Sequence, residues 1–190
     1  MSRTRRKLDE AEYFLGKLEV AVAAHPDFDF LLSAFVSSAR SVTWVMKAEY
    51  KDNSVWAAWY KAKAPTDAER KLLAQMNDLR VRSEKFEPLE TRPAIVLDFP
   101  PEAVTPQLLQ HREAGAGKRF RIWIWELPTD GGSTPPPGLP QNAEVLVGVS
   151  VGIVRHVREL DDTDVVDACR QYLARLQELV AEGEAAANAA

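Results

Sequence analysis

The chain has 190 residues, 46% of them hydrophobic and 27% charged, with a formal net charge of -4. That composition fits one soluble globular domain, or a domain carrying an insertion, and its mild acidity excludes the broad basic footprint of a dedicated nucleic-acid binder. One cysteine, Cys169, excludes an internal disulfide, and the three histidines (His25, His111, His156) sit far apart in no ligand-spaced motif, so no metal is expected.

The opening MSRTRRK puts Arg3, Arg5, Arg6 and Lys7 ahead of the first helical pattern. A solvated, frayed terminus is expected there, with a small phosphate-contacting arm as the alternative. Between Leu8 and Ala24 the residues Leu8, Ala11, Phe14 or Leu15, Leu18 and Val22 form one stripe, and His25-Pro26 ends the helix. The segment from Phe28 to Tyr50 reads as one long helix with two distinct faces. Phe28, Leu31, Leu32, Phe35, Ala39, Val42, Val45 and Met46 form the first. Ser33, Ser37, Arg40, Trp44 and Lys47 form the second, where a surface helix would carry a plain charged stripe. Such a helix is expected to be enclosed on both sides, by its own bundle and by something further. Asp52 or Asn53 caps a short helix, SVWAAWYKAK, whose Trp56, Trp59 and Tyr60 form either a core corner with Trp44 and Tyr50 or an interface anchor. Thr66 followed by Glu69 fits a capping box opening a fourth helix. Its expected lining is Leu72 or Leu73, Met76, Leu79, Ser83 and Phe86. Its polar side allows pairs of Arg80 with Glu84 and Asp78 with Arg82. Arg80 either belongs to this salt-bridged face or meets Arg40 or an anion across the bundle.

Near residue 90 the period changes from that of a helix to two. PAIVLDF, KRFRIWIWEL and EVLVGVSVGIV read as strands. In the third, Val145, Val147, Val149, Val151 and Ile153 face the helices, and Gly148 and Gly152 leave room for Trp123 and Trp125 from a neighbouring strand. The Pro- and Gly-rich 128–142 is an exposed loop, and one helical turn is expected around Gln107 to His111. The last helix runs from Asp161 to Glu182, with Cys169 as a buried structural thiol, and EGEAAANAA frays beyond it. His25 reads as a helix-end residue and His156 as exposed. GAGK at 115–118 lacks the spacing and hydroxyl residue of a phosphate loop, and GVSVG at 148–152 lies inside a strand rather than at a nucleophile turn. No cofactor motif is present, and neither an apolar leader nor a membrane span is seen, so a cytoplasmic protein is expected.

LLSAFVSSARSVTWVMKAEY, WAAWYKAK and LLAQMNDLRVRSEKFEP, in this order, resemble the helical core of HEPN-type proteins over roughly Leu8 to Pro88. DVVDACRQYLARLQELV is similar to the closing helix of some members. The resemblance implies an up-and-down helical bundle, often dimeric, and in many members a ribonuclease with an arginine and a histidine on one late helix. It carries Arg80 onto the arginine position, with Val81 where a polar residue is usual and Lys85 where the histidine would stand. A lysine at an ordinary pKa stays protonated and holds phosphate, but it does not act as a base.

The expected fold is therefore α+β: a four- or five-helix up-and-down bundle with a small three-stranded antiparallel sheet inserted before the C-terminal helix. It is read as one domain over 1–190, with the bundle core at 8–88, the β-rich insertion at 90–158 and the closing helix at 161–182. The expected function is a non-catalytic HEPN-like binding or assembly protein, homodimeric, with an RNA or protein partner, no membrane and no metal. Its binding residues are Arg40, Trp44, Asn77, Arg80 and Lys85. The alternatives are a metal-independent ribonuclease of a toxin or defence system using Arg80, and a small-molecule or peptide-binding module lined by Trp123 and Trp125.

Overall fold

The computed structural model describes residues 1–99, 120–124, 150–161 and 163–189. His111, the turn at 107–111, the 115–118 segment, Trp125, the 128–142 loop and Val145, Val147 and Val149 lie outside them. In chain order the described elements are α1 (Arg3–Val20), α2 (Asp27–Tyr50), α3 (Ser54–Ala62), α4 (Asp67–Lys85), β1 (Arg92–Phe99), β2 (Phe120–Ile124), β3 (Ser150–His156), a 3₁₀ turn (Arg158–Leu160) and α5 (Val165–Asn188). The protein is α+β and mostly helical, with five α-helices and a small antiparallel sheet among the described residues. It forms two compact units, one of Met1–Thr91 with Arg155–Ala190, the other of Arg92–Val154.

In the first unit α2 is the hub, packed on α1, α4 and α5. Phe28, Leu32, Phe35, Ala39, Val42 and Met46 of α2 are fully buried, and they meet Leu8, Ala11, Leu15 and Leu18 of α1, Met76 and Leu79 of α4, and Cys169, Leu173, Leu176 and Val180 of α5. Burial pushes the Cys169 thiol pKa up, with Asp164 adding to the effect, so this cysteine is an inert core residue.

Both ends of this unit depart from the expected fraying. α1 starts at Arg3, capped by Ser2, and runs to Val20, with Ala21 as its C-cap. The reason is tertiary. The Glu49 carboxylate at the end of α2 accepts the backbone N–H groups of Arg3 (2.9 Å) and Thr4 (2.8 Å) and the Thr4 hydroxyl (2.6 Å). These are otherwise orphan donors of a helix N-terminus, where a negative charge is also favoured. Burial raises the Glu49 pKa, but the Thr4 hydroxyl, the two N–H groups and Arg3 outweigh it and hold the carboxyl below its ordinary range. α5 runs to Asn188 rather than ending near Glu182, because Glu184 takes Ser2 Oγ (2.9 Å) and Arg5 (3.0 Å), Glu182 pairs with Lys63, and Asn53 Nδ2 donates to the Ala187 carbonyl (3.0 Å). Asn53 also caps α3 through Trp56 N–H (2.9 Å). Gly183 is buried where α5 meets Met46, Trp56 and Trp59.

α4 has the expected capping box of Thr66 and Glu69. Phe86 is not part of its lining: it follows the last turn and is 79% exposed. The core-corner reading of α3 is realised in part: Trp56 is buried, stacked on Tyr60 (4.9 Å) and tilted against Tyr50 (5.6 Å), whereas Trp44 of the same expected corner is exposed.

Thr91 and Arg155, where the chain leaves and re-enters the first unit, are tied together. Buried Asp29 accepts from Thr91 N–H (3.2 Å) and Oγ1 (2.6 Å), and Arg155 donates to Thr91 Oγ1 (3.2 Å) and to the Val22 carbonyl (2.8 Å). The Arg155 guanidinium lies over the Phe28 ring at 5.0 Å, and its backbone N–H reaches Asp164, the N-cap of α5, at 3.0 Å. Burial lowers the guanidinium pKa and Asp29 opposes it. His156, expected to be exposed, is buried at the end of β3.

In the second unit the strand order is β2-β1-β3, with β1 and β2 antiparallel in a register that sets Val96 opposite Trp123 and Leu97 opposite Ile122. β1 thus separates β2 from β3, so Trp123 does not neighbour Gly152 as expected, and Gly148 lies outside the described residues. Ile153, expected to face inward, is 39% exposed, and a side chain at Gly152 would meet open space.

Candidate functional site

The outward side of α2 is built from small residues that hydrogen-bond to their own helix. Ser41 Oγ donates to the Ser37 carbonyl (2.8 Å) and Thr43 Oγ1 to the Arg40 carbonyl (3.3 Å). These back-bonds satisfy the hydroxyls locally and keep the surface low. Arg40 donates to Thr43 Oγ1 (2.7 Å) and lies over the Trp44 ring at 5.4 Å, while Lys47 stands 6.0 Å from Trp44 and 5.1 Å from Tyr60. Trp44 is therefore an aromatic plate held between two cations, a favourable arrangement for the indole face. It is 63% exposed, and Phe30, one end of the same side, is 64% exposed.

This differs from the expected enclosure on two sides. The inner face is sealed by α1, α4 and α5, whereas among the described residues of this unit the outer face is covered along one edge. There α4 approaches, and Ser37 Oγ donates to Glu84 Oε1 (3.0 Å). Glu84 also pairs with Arg80 (2.6 Å), whose second amino group reaches Asn77 Oδ1 (3.5 Å). The Arg80–Glu84 pair is the expected one. The Asp78–Arg82 pair is not formed: Arg82 turns to Glu159 of the 3₁₀ turn (2.8 Å), a nearly buried partner at long sequence distance.

Arg40 and Arg80 are held by different partners, Thr43 and Trp44 for the first and Glu84 and Asn77 for the second. Burial raises the Tyr172 phenol pKa, and both Arg40 and Arg80 act on it in the opposite sense. The structure thus brings Arg40, Trp44, Asn77 and Arg80 to adjoining parts of one surface, while Lys85 is exposed in the last turn of α4. Trp123 lies in β2 and Trp125 outside the described residues. Sequence reasoning assigned Phe30 to neither face, although its spacing to Ser37 and Trp44 was available. It saw Glu84 only as a local partner of Arg80, because the link to Ser37 depends on how α2 and α4 cross.

Two clefts open elsewhere in this unit. One, of about 470 Å³, has Arg82, Phe86, Glu87, Arg158 and Glu159 on its walls. The other, of about 220 Å³, lies beside Leu72, Leu73, Tyr172 and the Arg175–Glu69 pair. In the first, Arg82 is taken by Glu159, and Arg158 by Glu159 (3.2 Å) and Glu87 (3.7 Å). The charges in each cleft are thus largely compensated within it. Among the described residues no group of three or more His, Cys, Asp or Glu side chains could hold a metal ion, and no helix is long and apolar enough to cross a membrane.

Fold and surface together define a mostly helical α+β protein that presents an aromatic plate between cations on its hub helix. Comparison with known protein families, curated proteins and solved structures finds no match.

Proposed function

We propose that this chain is a non-catalytic binding or assembly protein of HEPN-like type that pairs with a second copy of itself through the outer face of α2. In this reading α1–α5 act as an up-and-down bundle, the small sheet is a three-stranded antiparallel insertion, and the protein works within the cytoplasm. The observation that carries the proposal is the exposure of Trp44 and Phe30 on a helix whose opposite face is fully buried. Large aromatics with small residues between them form the kind of anchor that protein interfaces concentrate. Support for a non-catalytic role comes from Arg80, whose guanidinium is occupied by Glu84 and Asn77, and from the lysine where the family places its histidine.

Size-exclusion chromatography with light scattering, from low to high micromolar concentration, tests this. A dimer that Trp44→Ala converts to monomer is the expected result. A wild-type chain that stays monomeric at high micromolar concentration overturns the proposal. RNA cleavage that Arg80→Ala abolishes replaces the non-catalytic role with an enzymatic one.

A further inference from the structure

Thr91 and Arg155 are the two points at which the chain leaves and re-enters the helical unit, and the structure ties them to each other. Arg155 is 2% exposed and Thr91 7%, and the Arg155 guanidinium donates to Thr91 Oγ1 at 3.2 Å. Both are anchored to fixed parts of the unit. Asp29, in the first turn of α2, accepts the Thr91 N–H and hydroxyl. Arg155 is held at the Val22 carbonyl, over the Phe28 ring and, through its backbone N–H, at the Asp164 cap of α5. The helical unit, Met1–Thr91 with Arg155–Ala190, thus closes on itself at one buried clasp, and no described residue of Arg92–Val154 belongs to its core cluster. We infer that this unit is a two-piece assembly. The segment ending at Thr91 and the segment beginning at Arg155 recognise each other without the connection between them, so Arg92–Val154 is a tethered insertion that can be cut while the helical unit stays closed. This goes beyond the self-association proposed above and does not depend on it.

The second piece offers an amphipathic helix to the first. Val165, Cys169, Leu173, Leu176 and Val180 of α5 are buried in the shared core. Arg170 pairs with Glu19 and Arg175 with Glu69 along the helix. Glu184, with Ser2 and Arg5, and the Ala187 carbonyl, with Asn53, secure its far end, and the clasp secures its near end. Magnitudes favour survival of this pairing. A flexible tether gives a docking segment an effective concentration of about 1 mM, so cutting it at a chain concentration of about 10 μM weakens docking about a hundredfold. Folded domains outnumber their unfolded forms by about 10³ or more, so the pairing outlasts the cut.

The experiment inserts a site-specific protease sequence after Gly132 in the full chain and cuts there. The pieces are followed at about 10 μM by size-exclusion chromatography with light scattering and by far-UV circular dichroism. Co-elution of both pieces with the helical signal of the uncut chain is expected. β1 and β3 are neighbours in the sheet and would also join the pieces, so two variants assign the pairing to the helical unit. Leu176→Ala opens the core under α5, and Arg155→Met opens the clasp. Each is expected to raise the concentration at which the cut pieces separate about tenfold or more, with the uncut form of each variant as the folding control. Pieces that separate at the starting concentration, or that lose the helical signal on cutting, overturn the inference. So does a cut chain whose dissociation neither variant changes, because the sheet alone then holds the pieces together.

Discussion

The capping of α1 by Glu49 offers a sharp test, because one side chain converts a basic tail into a helix. Glu49→Gln preserves size but removes the charge and places an amide donor against the donors it should accept. The amide keeps a single oxygen, so of the donors Glu49 now accepts, the N–H of Arg3 and the N–H and hydroxyl of fully buried Thr4, at least one faces an NH2 group instead. A buried unsatisfied donor costs about 1–3 kcal/mol, and loss of a charge at a helix N-terminus adds about 0.3–1 kcal/mol. The expected loss is about 3 kcal/mol at pH 7, or a melting temperature lower by roughly 6–12 °C for a chain of this size. The pH dependence has a defined sign. The folded pKa of Glu49 lies below its ordinary value of 4.5, so its contribution is complete above that value and disappears as pH falls through the folded one. Urea denaturation of both proteins at several pH values should therefore show a constant gap from about pH 8 to 5 that closes in stronger acid. A gap below about 0.5 kcal/mol at neutral pH, or one that persists unchanged into acid, refutes Glu49 as an ionised cap.

Two further outcomes follow from the core. A methyl at Gly183 would overlap the Met46 Cε methyl and stand 3.0 Å from Trp59 Cζ3. Gly183→Ala should thus destabilise by about 1 kcal/mol, overpacking exceeding the helical gain, whereas in a Met46→Ala background it should stabilise. Additivity of the two substitutions in a thermal double-mutant cycle would contradict that contact. Arg155→Met should cost about 1–3 kcal/mol by urea denaturation, because the Val22 carbonyl and the Thr91 hydroxyl lose their donor while Asp29 keeps Thr91 and His25 (3.3 Å). A near-neutral Arg155→Met would remove the clasp from the account.

What the sequence determined by itself is local. Helical periodicity located α2, Asp52-Asn53 located the start of α3, and the Thr66–Glu69 spacing located α4, because caps and amphipathic stripes are set by residues a few positions apart. The change of period near residue 90 likewise announced the sheet. The candidate surface was visible as a stripe in which Arg40 and Trp44 stand among serines.

Only the tertiary structure decided the rest, since each remaining feature depends on groups far apart in the chain. The basic terminus becomes helix because Glu49 reaches it. The alanine-rich end of α5 stays ordered because Glu184, Glu182 and Asn53 hold it. Arg82 leaves Asp78 for Glu159 because helix crossing brings a less exposed acid within 2.8 Å. Strand order follows pairing energies spread over the sheet, which alternation along one strand does not encode. Exposure decided the site as well: periodicity marks two faces of α2, but only packing reveals that α1, α4 and α5 fill one and leave Phe30 and Trp44 open on the other.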